Sequence, residues 1–360
     1  MNLINLIKID RTGIDLRNNA FDFVRLILAL VVVYSHAPYV GGFGGEPHLA
    51  VRDLYSGGIT WGVVAMYGFF IISGFLITGS FVNSKTIWEY LEKRARRIFP
   101  GLWTCLFVSA FIFSPIFFWL ANGNLNNYWP NNVAFGYQYV NNTLTSEVTT
   151  RTVGNVLAKA PRNEMNGPIW SIIFEIKAYL WVAVLGFLGF YRKKWLVIVP
   201  FFFFAINYYL VVFQPVLGGW FNLFFVDAKI AVLFAYFFAG SLFFNFKDKI
   251  IWDWKIFTLM FLALVYAVQI NLFAPIAVIA FTYCILFLCK VIPIRNLGRR
   301  LGDMSYGVYI YHWPIQQFFF FLGIHKINPY LSIYGSMLVS LLFGFLSFHL
   351  VEKKFMTRKH

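Results

Sequence analysis

Apolar residues run along this chain in ten long stretches separated by short polar segments: residues 21–40, 59–80, 98–121, 169–190, 195–213, 228–246, 252–270, 272–291, 303–322 and 331–351. About 20 helical residues cross a hydrocarbon core of about 30 Å. A chain inside lipid must satisfy its backbone hydrogen bonds internally, so runs of this kind predict helices. The expected fold class is all-α: a polytopic membrane helical bundle of about ten transmembrane helices, forming one integral-membrane domain over residues 1–360. Lys and Arg orient it. With the N-terminus cytoplasmic, 22 of the 30 fall in segments assigned inside. Five fall outside (Arg52, Arg151, Lys159, Arg162 and Lys326) and three within the runs (Arg25, Lys177 and Lys229). That bias predicts both termini cytoplasmic, with residues 1–20 and 352–360 as inner segments. A missed or extra span would scramble it. Residues 122–168 read as a long external loop rich in Asn, Tyr and Gly, without apolar periodicity. Loops of such length are usually functional or mobile. Asn and aromatic side chains suit sugar binding, and equally any wet loop.

Composition agrees with the pattern. Hydrophobic residues make up 59% of the chain and charged ones only 12%, far from soluble averages. The net charge of +15 would suggest a nucleic-acid partner if the positives were clustered. They sit between apolar runs instead, so membrane lipid is expected and nucleic acid is not. Cys105, Cys284 and Cys289 lie within apolar runs, placed for neither a disulfide framework nor a zinc cluster. The N-terminus lacks an apolar run followed by a small-residue cleavage site, so the first span is expected to act as the insertion signal. No internal repeat or soluble domain is visible.

Ionisable residues inside apolar runs are costly and point to function. The first run carries Asp22, Arg25 and His36. Eleven helical steps bring His36 back to the face of Arg25, ~16 Å further along the axis. Asp22 is within ion-pair reach of Arg25. A snorkelling Arg25 and a merely structural His36 would be the bland reading. The fourth run places Ser171, Glu175 and Tyr179 on one face after Trp170. Counted by rise, Glu175 lies ~9 Å below the outer surface and His36 ~22 Å above the inner one, at matching depth. A carboxylate beside an imidazole fixes its tautomer and stabilises its protonated form, so a His36–Glu175 pair is expected. A buried structural ion pair of Glu175 with Lys177 or Arg25 is the alternative, Lys177 being poorly placed because it is two residues away.

Arg94 and Arg97 share a helix face at the inner end of the third run. Arginine suits bidentate phosphate binding, but for these two alone positive-inside anchoring is the better account. Ser305, Tyr309 and His312 share a face in the ninth run, with His312 ~14 Å from the inner surface and Pro314 able to loosen the helix beyond it. A proton relay between the buried histidines is one reading. No metal is expected, for want of further ligands at matching spacing. His349 and Glu352 read as interfacial. Gly41–Gly45 reads as an external loop able to approach a ligand closely, and the stretch Ile72 to Ile77 as a site of tight helix packing.

Together these motifs resemble acyltransferase family 3, membrane-bound enzymes that modify bacterial surface polysaccharides and related glycans. The resemblance rests on Arg-ten residues-His (Arg25, His36), S-G-F-L-I (Ser73 to Ile77) and R-x-x-R-I-x-P (Arg94 to Pro100). It continues in W-S-x-x-x-E-x-x-x-Y (Trp170 to Tyr179) and S-Y-x-x-Y-x-x-H-x-P (Ser305 to Pro314). It implies transfer of an acyl group, usually acetyl, from cytoplasmic acyl-CoA to a hydroxyl of a glycan such as O-antigen, capsule or exopolysaccharide. The setting implied is multi-pass, in the bacterial cytoplasmic (inner) membrane, alongside polysaccharide-assembly proteins. By the same resemblance His36 is the catalytic residue supported by Arg25, and Arg94 and Arg97 hold the donor phosphates. Glu175 joins His36 in the catalytic set. Ser305, Tyr309 and His312 are assigned to the donor passage, and Trp170, Ser171 and Tyr179 to the acceptor. Many relatives carry an added esterase-like domain, which this chain is expected to lack. His36 could serve as base or as nucleophile. The rival reading is a transporter or flippase of a glycan precursor with a relay through Arg25, His36 and Glu175. It predicts repeats with broken helices, which the sequence does not display. A catalytically dead assembly subunit is the third.

Overall fold

The computed structural model describes residues 13–16, 18–47, 59–144, 151–217, 227–270, 273–295 and 297–356. Most of the expected 1–20 segment, part of 122–168 and the end of the 352–360 tail therefore lie outside the described residues. All ten apolar runs are helical. They form α1 (Phe21–Gly41), α2 (Trp61–Val82), α3 (Ile87–Asn122), α5 (Trp170–Phe187), α6 (Ile198–Leu217), α7 (Ala228–Phe246), α8 (Trp254–Gln269), α9 (Phe273–Val291), α11 (Ser305–Phe321) and α13 (Pro329–Met356). Three further elements interleave: α4 (Tyr128–Leu144), α10 (Leu297–Leu301) and α12 (Ile324–Ile327). Among the described residues, 7 helices are long and apolar enough to cross a membrane, and α8 and part of α9 add two shorter apolar ones. This is a multi-pass membrane protein.

The chain divides into two compact units. The first comprises Met1–Leu28, His48–Leu91 and Phe174–Arg300, and the second Ala29–Pro47, Glu92–Ile173 and Leu301–His360. In the first, α2 and α7 cross backbone to backbone. A Cβ added at Gly74 would stand 1.8 Å from the Phe237 carbonyl oxygen, and one at Gly240 would stand 2.1 Å from that of Ile71. Glycine permits the approach, which is how helices gain packing where lipid removes the hydrophobic drive between them. The tight packing expected at Ile72–Ile77 is therefore realised. Thr78 donates to Ser241 across the same contact at 2.7 Å. At the start of α1, Asp22 accepts the Gly298 N–H at 3.1 Å and so caps α10.

In the second unit, α11 lies on α13 through another glycine contact, with the Cβ position of Gly307 only 2.8 Å from Gly344 Cα. Polar anchors accompany it. Arg97 Nη2 donates to Asp303 (2.6 Å) and Nη1 to Glu352 (2.7 Å), and Glu352 also accepts from Ser347 (2.8 Å). Glu352, just beyond an apolar run, is fully buried within the protein in a π-helical turn. A buried carboxylate needs a cation and hydrogen bonds, and Arg97 and Ser347 supply them.

The segment 122–168 differs from a plain loop, because α4 occupies its first half. Tyr128, Asn132, Gly136 and Tyr139 form a buried stripe at helical spacing, and Tyr128 donates to Ser114 of α3 at 2.9 Å. The stripe is written in Tyr, Asn and Gly, so apolar periodicity does not reveal it. Burial pushes the Tyr139 phenol pKa well above its ordinary value.

Candidate active site

His36 lies near the end of α1, and its partner arrives through the glycine turn that follows. Gly42 adopts φ +70°, and a Cβ there would meet Pro161 at 2.5 Å, so the tight reversal requires glycine. The turn returns Glu46 to the helix, with its Oε1 2.9 Å from His36 Nδ1. A carboxylate oxygen only accepts, so Nδ1 carries the proton and Nε2 presents its lone pair. Both side chains are 18% exposed, covered enough to strengthen the pair yet open to a small reactant.

Helix α11 builds the opposite wall. His312 is fully buried and stacks parallel on His36, with ring centroids 5.5 Å apart, while Trp313 meets His36 edge-on at 5.3 Å. His312 Nδ1 donates to the Tyr309 carbonyl at 2.6 Å, which again leaves Nε2 as the acceptor. Pro314 cannot bond the carbonyl of Ile310 one turn back. Asn166 Nδ2 at 2.6 Å and the Cys105 thiol at 3.1 Å take that oxygen instead. Gln316 Nε2 donates to the Val33 carbonyl (2.6 Å), Gln317 Nε2 to that of Arg162 (2.9 Å) and Trp313 Nε1 to that of Glu164 (2.8 Å). Each amide nitrogen faces a carbonyl, which fixes its orientation. Four buried acceptors then have no partner among the described residues: His312 Nε2, Gln316 Oε1, Gln317 Oε1 and Asn166 Oδ1. Unpaired buried acceptors are costly, and a ligand rich in hydroxyl donors would satisfy them.

The stretch before α5 closes over this region. Arg162 stacks on the Tyr39 ring at 3.3 Å, and Arg151 pairs with Glu164 at 2.6 Å. The hydroxyls of Ser171 and Tyr309 share a 2.7 Å hydrogen bond, joining two of the motifs singled out in the sequence. Trp170 opens α5 half-buried. Ser305 donates to Asp303 at 2.6 Å, beside Arg97. Arg97 is thus committed to two carboxylates, whereas Arg94 has a buried Nε without a partner among the described residues.

The carboxylate on His36 is Glu46, which sequence reasoning passed over. Glu175 belongs to the first unit, where it accepts from Tyr179 and lies 3.4 Å from the Ser73 hydroxyl. Arg25 lies on α1 eleven residues before His36, half-buried. Asn166, Gln316 and Trp313 were also missed. Pro314 was the available signal for the first of these, since a mid-helix proline leaves a carbonyl that needs an outside donor.

The family model described as an acyltransferase domain, that of acyltransferase family 3, matches residues 18–350. A protein named O-acetyl transferase from Shigella phage Sf6 is 27% identical over 363 residues, covering 95% of this chain and 97% of the relative. Nodulation protein 10 of Rhizobium leguminosarum bv. viciae is 37% identical over 92 residues, 24% of this chain and 22% of its own length. No solved structure matches significantly.

Proposed function

The chain belongs to acyltransferase family 3 and is a membrane O-acyltransferase, and on that premise we propose that it carries an acetyl group from cytoplasmic acetyl-CoA to a hydroxyl of a cell-surface glycan, in the bacterial inner membrane. The observation that carries the chemistry is the His36–Glu46 contact of 2.9 Å. His36 Nε2 takes the proton of the acceptor hydroxyl as its oxygen attacks the thioester carbonyl. Glu46 stabilises the imidazolium that forms. The C–S bond then breaks, and the proton on His36 passes to the departing thiolate. The products are the acetylated glycan and free CoA. The relative's name supports acetyl as the group moved. The four unpartnered acceptors support a polyhydroxyl substrate. Arg94 is the first candidate for the donor phosphates, and Arg97 holds the surrounding helices. Ser305, Tyr309 and His312 would line the donor arm's path, and Trp170 and Ser171 the acceptor's.

The test compares surface glycan from cells expressing wild type, His36→Ala or an empty vector, scored by mass with equal membrane expression. An acetyl increment confined to wild type is expected. Full acetylation by His36→Ala would overturn the role of His36. Unchanged glycan mass with altered export would favour a flippase.

A further inference from the structure

The first unit carries an apolar groove of about 700 Å³ between α6, α7 and α9, within the range of sites that hold small molecules. Phe202, Ile206, Tyr209 and Ile279 line it with exposed faces, and Ala205 forms part of its wall. Basic residues flank the lining residues at one end of the groove. Phe246 and Ile250, both lining residues, bracket Lys247 and Lys249. Ile198, also lining, lies one turn after Lys194 in a 3-10 turn that packs on α7. Arg192 and Lys193 precede it, and Trp195 is 59% exposed, as expected of a residue at a membrane interface. Asp248 is the acid within the cluster, against five bases.

We propose that this groove is a binding site for one anionic phospholipid, with an acyl chain along α6 and α9 and the phosphate at Lys193, Lys194, Lys247 and Lys249. The apolar walls alone would accept any lipid chain. The basic end selects the headgroup, because lysines at a membrane surface attract anionic lipid. The transfer chemistry uses none of these residues, so this proposal stands or falls apart from the proposed function.

The experiment delipidates the purified full-length protein in mild detergent. Phosphatidylglycerol or phosphatidylcholine with identical chains is then added, and bound lipid is counted by native mass spectrometry. Wild type is expected to keep one phosphatidylglycerol about tenfold more tightly than phosphatidylcholine. Replacing the four lysines by Gln should reduce phosphatidylglycerol to the phosphatidylcholine level, and replacing them by Arg should preserve the preference. Ala205→Trp should abolish retention of both lipids, with Ala205→Leu as the milder form if the larger ring prevents a monodisperse preparation. Equal retention of both lipids by wild type would overturn the site as annular binding only. A preference surviving the Gln variant, or lipid counts unmoved by either change at Ala205, would also overturn it.

Discussion

Both units pack helices through glycine contacts, but they differ in the polar support that accompanies them. In the first, α2 and α7 rely on missing side chains: Gly74 and Gly240 let carbonyls occupy space that a Cβ would claim. Their one described cross-helix polar contact of this kind, Thr78 to Ser241, adds little to such a fit. The second unit adds charge and amide groups to its glycine contact between α11 and α13. Arg97 is tied to Asp303 and Glu352, and Asn166, Gln316 and Gln317 donate to main-chain carbonyls. The contrast teaches where chemistry can be housed. A close crossing of two backbones leaves no room there for a polar group, whereas a polar network that is only part-satisfied can engage a reactant. The first unit should therefore be sensitive to added volume, and the second to deleted polar groups.

The largest effect should come from Arg97→Met, which takes the guanidinium away from the fully buried Glu352. A loss of about 3–5 kcal/mol is expected in detergent unfolding curves. Stability within 1 kcal/mol of wild type, by rough criterion, would mean that the polar network is incidental. Gly74→Val should follow at about 3 kcal/mol, because its first added carbon meets a backbone carbonyl that cannot turn aside. Glu46→Gln should leave the unfolding curve in place and lower turnover about 10²-fold, as the imidazolium loses its counter-charge. A matching drop in stability would recast Glu46 as structural. Thr78→Val should be the mildest, about 0.6 kcal/mol with transfer unchanged. Were Thr78→Val to cost more than Gly74→Val, the contrast between the units would collapse.

Much of this was legible in the chain. The ten apolar runs are all helical, and the packing role of Ile72–Ile77 followed from its glycine. The pairing of Ser171 with Tyr309 joins residues that two separate motifs had marked. Helix α4 was not legible, because its buried stripe of Tyr128, Asn132, Gly136 and Tyr139 contains no aliphatic residue. The burial of Glu352 was hidden for a related reason, since a carboxylate just beyond an apolar run gives no sign of the arginine that pairs with it. Glu46 was hidden in a turn, ten residues past His36, where sequence spacing predicts no contact.

By itself the sequence determined that the ten apolar runs are helical, and which residues are chemically out of place in them. Both follow from local energetics, since hydrocarbon imposes internal backbone hydrogen bonding and penalises every charge along a run. Tertiary structure alone decided the partners. Glu46 meets His36 through the reversal at Gly42, Asn166 takes the carbonyl that Pro314 frees, and Arg97 neutralises Glu352. Those pairings depend on loop closure and helix crossing, where residues far apart in the chain come within 3 Å, and no local pattern encodes that distance.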